Sequence, residues 1–85
     1  MTGNPPTIRV FSSADCGRCP AAIDVATDVA DDTDAEVEVV DIETDRGEAL
    51  RAGVLSVPTT VVGDEHIRGV PDSDRLERAL EIASN

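Results

Sequence analysis

The sequence predicts an α/β domain in which strands and helices follow one another in the order β-α-β-α-β-β-α, with a mixed sheet and three helices. Two observations predict this class. Short runs of β-branched residues alternate with longer stretches in which apolar residues recur at steps of three and four. The first strand–helix–strand segment is typical of a parallel βαβ unit, and a hairpin and a last helix follow it. A chain of 85 residues has room for only one such core.

The first half of the chain predicts two strands with one long helix between them. Residues 7–11 are a β-branched and aromatic run, and residues 36–42 alternate before they become apolar. Between them, residues 17–31 follow a helical period, with Ser13 or Asp15 as the expected N-cap. The expected buried face of this helix consists of Cys19, Ala22, Ile23, Ala26, Val29 and Ala30.

The second half begins with a short helix and a hairpin. The helix is expected to run from an N-cap at Thr44 or Asp45 to a stop at Gly53, because glycine tolerates the left-handed conformation that ends many helices. Residues 57–62 and 66–68 then predict two antiparallel strands, joined by a three-residue loop that begins with glycine.

The last helix is expected to follow Asp72 or Ser73 as its N-cap. The only histidine, His66, begins the last strand, and we expect it at the surface or at the sheet edge with no chemical role. The buried stripe of the last helix is expected to comprise Leu76, Ala79, Leu80 and Ala83, with Ile82 at its margin.

The charge balance is strongly acidic: 18 Asp and Glu stand against 7 Arg and no Lys, a formal net charge of −11. This excess argues against nucleic acid and anionic membranes as partners, because both require a positive surface. Hydrophobic residues make up 40% and are regularly spaced, so we expect the chain to fold. Since acidic residues occur all along the chain, we interpret them as adaptation to high salt; the alternative is a docking surface for a basic partner.

The start of the chain is not expected to act as a secretory signal. Residues 1–6 are expected to be a flexible tail because consecutive prolines block strand pairing, and residues 7–85 are expected to form the single domain. The start lacks the basic and apolar regions of a signal sequence, and no apolar run reaches about 18 residues. We therefore expect a cytoplasmic protein whose cysteines are reduced or cycle between thiol and disulfide.

The central motif is Cys16-Gly17-Arg18-Cys19, which holds both cysteines of the chain. It lies between the first strand and the first helix, a placement typical of a redox-active dithiol. Backbone N–H groups at a helix N-terminus favour negative charge, so Cys16, expected at the very start of the helix, is the expected thiolate. Arg18 favours that charge and Asp15 opposes it.

Other interpretations of the cysteine pair compete with the redox one. A structural disulfide that closes so small a loop constrains the unfolded chain little. A zinc site requires four ligands, whereas the chain has two Cys and one His, so carboxylates or a second chain would have to complete it. A binding module of this class would use the cysteines for zinc or for an iron–sulfur cluster at a dimer interface.

The element order, with a Cys-x-x-Cys motif opening the first helix, resembles the thioredoxin fold in its smallest, glutaredoxin-sized form. Two further segments carry the resemblance. Residues 53–59 are similar to the thioredoxin segment that contains a cis-proline, and Gly69-Val70-Pro71 matches the glycine that the family keeps before the last helix. The resemblance covers about residues 7–83 and is closest to the small glutaredoxin-like thioredoxins of archaea. It implies a four-stranded sheet with the strand order 2-1-3-4.

The resemblance implies a thiol–disulfide oxidoreductase that reduces protein disulfides. Cys16 would attack the substrate, and Cys19 would resolve the mixed disulfide. The Val57–Pro58 bond would be cis, and the Val57 backbone would be free to pair with an added substrate strand. The expected substrate-binding residues are Gly17, Arg18, Val57, Pro58, Gly69 and Val70.

The resemblance also implies partners, namely disulfide-containing proteins as substrates and a flavin-dependent thioredoxin reductase, or a low-molecular-weight thiol, as electron donor. We expect a monomer with no cofactor and no bound metal. The alternative of the same fold is a glutaredoxin-like or ribonucleotide-reductase-linked redoxin. In that case Arg18, Arg51 and Arg68 would bind the carboxylates of glutathione.

Three positions depart from the family pattern. Asp15 stands where thioredoxins commonly have Trp, and Arg18 stands where they have Pro. Val10, six residues before Cys16, occupies the position of the family's buried carboxylate. The proton acceptor for Cys19 is therefore unassigned, with Asp15, water and the substrate thiol as alternatives.

Overall fold

The computed structural model describes residues 6–84, in which four strands form a single sheet and three helices flank it. The sheet has the strand order 2-1-3-4; the first two strands are parallel and the other neighbours are antiparallel, so the predicted fold class is confirmed. The elements are β1 (Thr7–Ser12), α1 (Cys19–Thr33), β2 (Glu36–Asp41), α2 (Arg46–Ala52), β3 (Thr59–Val62), β4 (Glu65–Arg68) and α3 (Ser73–Ser84).

The helices cover both faces of the sheet. α1 and α3 pack on one face, over a core that includes the fully buried side chains of Ile8, Val10 and Leu76. α2 packs on the opposite face, where Ala49 belongs to the same buried cluster as Phe11. Because β1 pairs with β2 on one side and with β3 on the other, its end is held at the centre of the sheet. The cysteine motif therefore starts from a rigid position.

The predicted tail lies almost entirely outside the described residues, since residues 1–5 are not among them. Pro6, the first described residue, accepts a hydrogen bond at its C=O from the Glu36 N–H at 3.0 Å. The contact between the chain before β1 and the start of β2 therefore begins one residue before β1.

The N-terminus of α1 differs from the prediction. The helix begins at Cys19, two residues later than expected, and Arg18 is its N-cap with no side-chain hydrogen bond. The prediction of Ser13 or Asp15 as N-cap is wrong. Pro20 lies at the start of the first turn, where its missing N–H is not required, so a helix can begin here without a polar cap.

The C-terminus of α1 lies at Thr33, beyond the predicted limit of residue 31. The Thr33 hydroxyl donates to the Val29 C=O at 2.7 Å, and Asp34 then takes a left-handed conformation with a φ of 60°. Aspartate is among the few residues other than glycine that adopt this conformation readily. The predicted buried face is confirmed, with Cys19, Ala22, Ala26, Val29 and Ala30 buried and Ile23 partly buried.

α2 ends in a Schellman motif, as the predicted stop at Gly53 requires. Gly53 has a φ of 75°, and its N–H donates to the Leu50 C=O at 3.2 Å. The Val54 N–H donates to the Ala49 C=O at 3.0 Å, and both side chains belong to one apolar cluster. Asp45 is the N-cap, as predicted, although its side chain forms no capping hydrogen bond.

The hairpin is shorter at its start than predicted. β3 begins at Thr59 because the proline before it has no N–H to donate to a strand neighbour. Val62 pairs with Glu65, so the loop consists of two residues, Gly63 and Asp64, rather than three. Gly63 has a φ of 57°, a conformation that tight two-residue loops require and that glycine adopts without steric cost.

α3 begins after Asp72, whose C=O accepts the Leu76 N–H at 3.0 Å as an N-cap does. Leu76, Ala79 and Leu80 are buried as predicted. Ala83 is exposed, so its predicted burial is wrong. Its Cβ lies 3.4 Å from the position that a Cβ on Gly63 would take, and a glycine has no side chain to cover it.

Two further observations concern the surface. Within residues 6–84, no helix combines the length and the apolar character needed to cross a membrane. His66 is exposed on the edge strand β4, as predicted, and its Nε2 donates to the Ala52 C=O at 2.7 Å.

Candidate active site

The two cysteines form a disulfide between the end of β1 and the start of α1, with their Cα atoms 5.4 Å apart. Two backbone turns hold this segment: the Cys16 N–H donates to the Ser13 C=O at 3.2 Å, and the Cys19 N–H donates to the Cys16 C=O at 3.4 Å. Cys19 is the first residue of α1, so the prediction that Cys16 opens the helix is wrong. Cys16 lies in the turn before it.

Exposure distinguishes the two sulfur-bearing residues. Cys19 is only 3% exposed, because α1 places it on the face that packs against the sheet. Cys16 is partly exposed. Since thiol–disulfide exchange requires access to the attacking sulfur, Cys16 is the cysteine that a second molecule can reach first.

The loop before β3 faces this disulfide. The Val57–Pro58 bond is cis, as the resemblance implies, with Pro58 buried and Val57 partly buried. Two hydrogen bonds anchor the loop: the Thr59 hydroxyl donates to the Ser56 C=O at 2.7 Å, and the Gly69 N–H donates to the Pro58 C=O at 2.9 Å. Within residues 6–84, the Val57 N–H and C=O form no backbone hydrogen bond.

A cavity of about 350 Å³ lies between the loop before β3 and residues 13–18, which we call the cysteine turn; Val57 lines it from the side of the loop. It brings together four of the predicted site residues. Pro58, Gly69 and Val70 do not line it; Gly69 is hydrogen-bonded to Pro58, the residue after Val57, and Val70 is 42% exposed. The lining residues are Ser13, Asp15, Cys16, Gly17, Arg18 and Val57.

The position that the thioredoxin resemblance aligns with a buried carboxylate is apolar in this chain. Val10 is fully buried, and its Cα partner across the sheet is Thr60 on β3. The Thr60 hydroxyl is also fully buried, and within residues 6–84 it has no hydrogen-bond partner. Sequence reasoning missed Thr60 because a threonine in a β-branched run reads as an ordinary strand residue.

The described residues form no cluster of side chains that could complete a metal site around the cysteines. Within residues 6–84, no three side chains of His, Cys, Asp or Glu lie close enough together to hold an ion. Of the two ways to complete a zinc site that the sequence leaves open, carboxylates of this chain or a second chain, the described residues offer no carboxylate cluster for the first.

Comparison with known proteins finds thioredoxins by family model, by sequence and by structure. The thioredoxin-domain family model matches residues 6–81. A thioredoxin of Methanocaldococcus jannaschii is 36% identical over 77 residues, which cover 87% of this chain and 91% of the relative. A probable thioredoxin of Archaeoglobus fulgidus is 34% identical over 76 residues, which cover 86% of this chain and 84% of the relative. The solved structure of a mutant thioredoxin from Halobacterium salinarum superposes with a TM-score of 0.83 at 30% identity, covering 96% of this chain and 77% of that chain.

Proposed function

This chain belongs to the thioredoxin family and is a thiol–disulfide oxidoreductase, and we propose that it reduces disulfide bonds of other proteins with Cys16 as nucleophile and Cys19 as resolving thiol. The observation that carries the proposal is the difference in exposure within the pair. Cys16 lines an open cavity next to Val57, whereas Cys19 is buried against the sheet.

The proposed reaction proceeds from the reduced pair in two exchange steps. The Cys16 thiolate attacks one sulfur of the substrate disulfide, which forms a mixed disulfide and releases the other substrate sulfur as a thiolate that takes up a proton. The Cys19 sulfur, as thiolate, then attacks the Cys16 sulfur and releases the second substrate thiol. The substrate gains two electrons and two protons, and the Cys16–Cys19 pair loses them and becomes the disulfide.

Substrate binding is assigned to the Val57 backbone. Its unpaired N–H and C=O fit a short β-strand of the substrate, added beside the cysteine turn so that the substrate sulfur approaches Cys16. Gly17 and Arg18 line the cavity that contains Val57, and Gly69, which precedes Val70, holds the loop through its hydrogen bond to the Pro58 C=O. Pro58 supplies no N–H, so the added strand is limited to the main-chain groups before it.

Regeneration requires a donor of two electrons. We assign this role to a flavin-dependent thioredoxin reductase in a reducing cytoplasm, where dithiols of this class remain reduced. Glutathione is the alternative donor, but Arg18, Arg51 and Arg68, which would bind its carboxylates, each line a different cavity. Arg51 pairs with Glu48 at 2.9 Å on α2, whereas Arg18 lines the cavity beside the cysteines.

The experiment compares the wild type with Cys16→Ser and Cys19→Ser in a reductase-coupled insulin assay. We expect both variants to lose turnover, and only Cys19→Ser to accumulate a mixed disulfide with the substrate, visible by mass spectrometry. Accumulation by Cys16→Ser instead would reverse the assigned roles. Turnover with glutathione and glutathione reductase, but with no thioredoxin reductase, would favour the glutaredoxin-like alternative.

A further inference from the structure

A second groove adjoins the active site on the α2 side of the sheet. It has a volume of about 380 Å³ and lies between the end of α2 and the hairpin; we call it the α2–β4 groove. Its polar lining comes from Thr59, His66 and Arg68, and its apolar lining includes Val54 and Leu55. Within residues 6–84, no Asp or Glu lines it, although the chain carries 18 acidic residues.

Arg68 is available to a ligand. Arg9, Arg51 and Arg75 form ion pairs with glutamates, whereas Arg68, like Arg18, Arg46 and Arg78, forms no ion pair or side-chain hydrogen bond with any residue in the range 6–84. Its side chain lines the groove two positions from His66 on β4, so both lie on the same face of that strand. An unpaired guanidinium presents a planar set of donors that matches a carboxylate.

The groove is connected to the redox site through the loop that both share. Arg68 pairs with Thr59, the residue that follows Pro58, and the next residue, Gly69, donates to the Pro58 C=O. Val57 lines the cavity with Cys16 on the other side of this loop. The groove is thus lined by Leu55 and Thr59, each two residues from Val57, the residue whose main chain is assigned to substrate pairing.

Leu55 adds an apolar contact at the same place. Its side chain is 89% exposed, more than any other large hydrophobic residue that the structure describes as exposed. A leucine left so exposed beside an uncompensated arginine fits a partner that offers an apolar residue and an acid together. Elsewhere the surface of a chain with a net charge of −11 repels an acidic segment.

We propose that the α2–β4 groove binds an Asp or Glu side chain of the disulfide-bearing partner protein through Arg68, together with an apolar neighbour that packs on Leu55. The inference rests on the proposed function, because it assigns substrate preference to the same reaction. It makes acidic residues near the target cysteine the feature that the protein selects.

The test uses two disulfide-linked peptides that differ only in a Glu-Leu or a Gln-Leu pair next to the cysteine. We expect the wild type to prefer the acidic peptide, and Arg68→Gln to lower kcat/KM for it by about twofold to fivefold while leaving the neutral peptide unchanged. Arg68→Lys should retain part of the preference. The preference should shrink at 1 M salt, where the Debye length falls to about 3 Å.

Arg78→Gln is the matched control. Arg78 is exposed on α3, on the opposite face of the sheet, and its substitution removes the same charge as Arg68→Gln does. An equal loss with this variant, no wild-type preference, or equal effects of Arg68→Gln on both peptides would overturn the inference. So would an Arg68-dependent turnover of glutathione disulfide with no preference between the peptides.

A binding measurement separates the groove from the redox reaction. Peptides with serine in place of cysteine cannot react, yet the acidic one should shift the backbone amide NMR signals of His66 and Arg68 more than the neutral one. Such shifts without disulfide turnover would sustain the groove and refute the proposed function. Disulfide turnover without selective shifts would sustain the proposed function and refute binding of acidic side chains in the groove.

Discussion

Replacing Thr60 with valine is expected to stabilise the protein by about 1–2 kcal/mol. The Thr60 hydroxyl is fully buried on β3 and has no hydrogen-bond partner within residues 6–84. A buried polar group without a partner costs about 1–3 kcal/mol, because it loses its hydrogen bonds to water on folding. Valine has nearly the same shape and no polar atom, so the substitution removes this cost without opening a cavity.

The expected change is large enough to measure by thermal unfolding. An unfolding entropy of about 2.1 cal/mol/K per residue gives about 180 cal/mol/K for a chain of 85 residues. A gain of about 1–2 kcal/mol therefore corresponds to a rise in Tm of about 6–11 °C. Calorimetry of the oxidised protein, with urea unfolding as a second measurement, checks this value.

Thr59→Val is the matched control. Thr59 is also buried, but its hydroxyl donates to the Ser56 C=O at 2.7 Å. Removing that hydrogen bond should cost about 1 kcal/mol, so neighbouring threonines should respond with opposite signs. A loss of stability in Thr60→Val as large as that in Thr59→Val would refute the reasoning, since it would mean that the Thr60 hydroxyl has a partner such as a buried water.

Three further outcomes are expected. Leu76→Ala should lower the unfolding free energy by about 2–5 kcal/mol in urea titrations, because Leu76 is fully buried between α3 and the sheet; a loss below about 1 kcal/mol would contradict that packing. Hydrogen bonds from Arg51 and Arg9 hold the pKa of Glu48 below its usual value of 4.5, so its ionised form stabilises the fold at neutral pH and this contribution is lost in acid as pH falls through the lowered pKa. Glu48→Gln should therefore lose less stability than the wild type between neutral and acid pH; equal losses would exclude the effect. Finally, the unfolding midpoint should rise between about 0.1 M and 1 M NaCl as the Debye length falls from about 10 Å to about 3 Å, whereas a flat response would contradict salt adaptation.

The order of elements and the buried face of α1 could be predicted because they depend on patterns that repeat along the chain, whereas the division of the apolar side chains into two clusters, one on each face of the sheet, was not predicted. The helical spacing of Ala22, Ala26 and Val29 and the alternation around Val37 and Val39 each sample several residues, so one misleading position does not change the result. The end of α2 was predicted from a single residue, Gly53, because few residues other than glycine adopt the left-handed conformation at a helix end.

Errors arose where a single local choice decides the structure. Ser13 and Asp15 are good capping residues, but the helix starts at Cys19 after two backbone turns, and Pro20 makes a side-chain cap unnecessary. Ala83 continues the apolar period of α3, yet its exposure depends on Gly63, a residue 20 positions earlier that leaves it uncovered. Periodicity contains no information about what lies opposite a helix face.

The candidate site divides in the same way. The cysteine pair and the Val57–Pro58 segment could be predicted from the sequence. The α2–β4 groove could not, because it forms only when β4 brings His66 and Arg68 beside the end of α2. The unpartnered Thr60 hydroxyl was equally unreadable, since a hydrogen-bond partner is a property of the folded neighbourhood rather than of the residue.

Phe11 has a practical consequence for anyone who studies this protein by spectroscopy. It is the only phenylalanine in a chain without tryptophan or tyrosine, and its fully buried ring lies 5.0 Å from the Arg9 guanidinium carbon. The protein therefore has almost no intrinsic fluorescence or near-ultraviolet absorbance of its own. Its phenyl protons form one isolated set of resonances, which can report on the packing of the cluster around Phe11, Val40 and Ala49 without any added label.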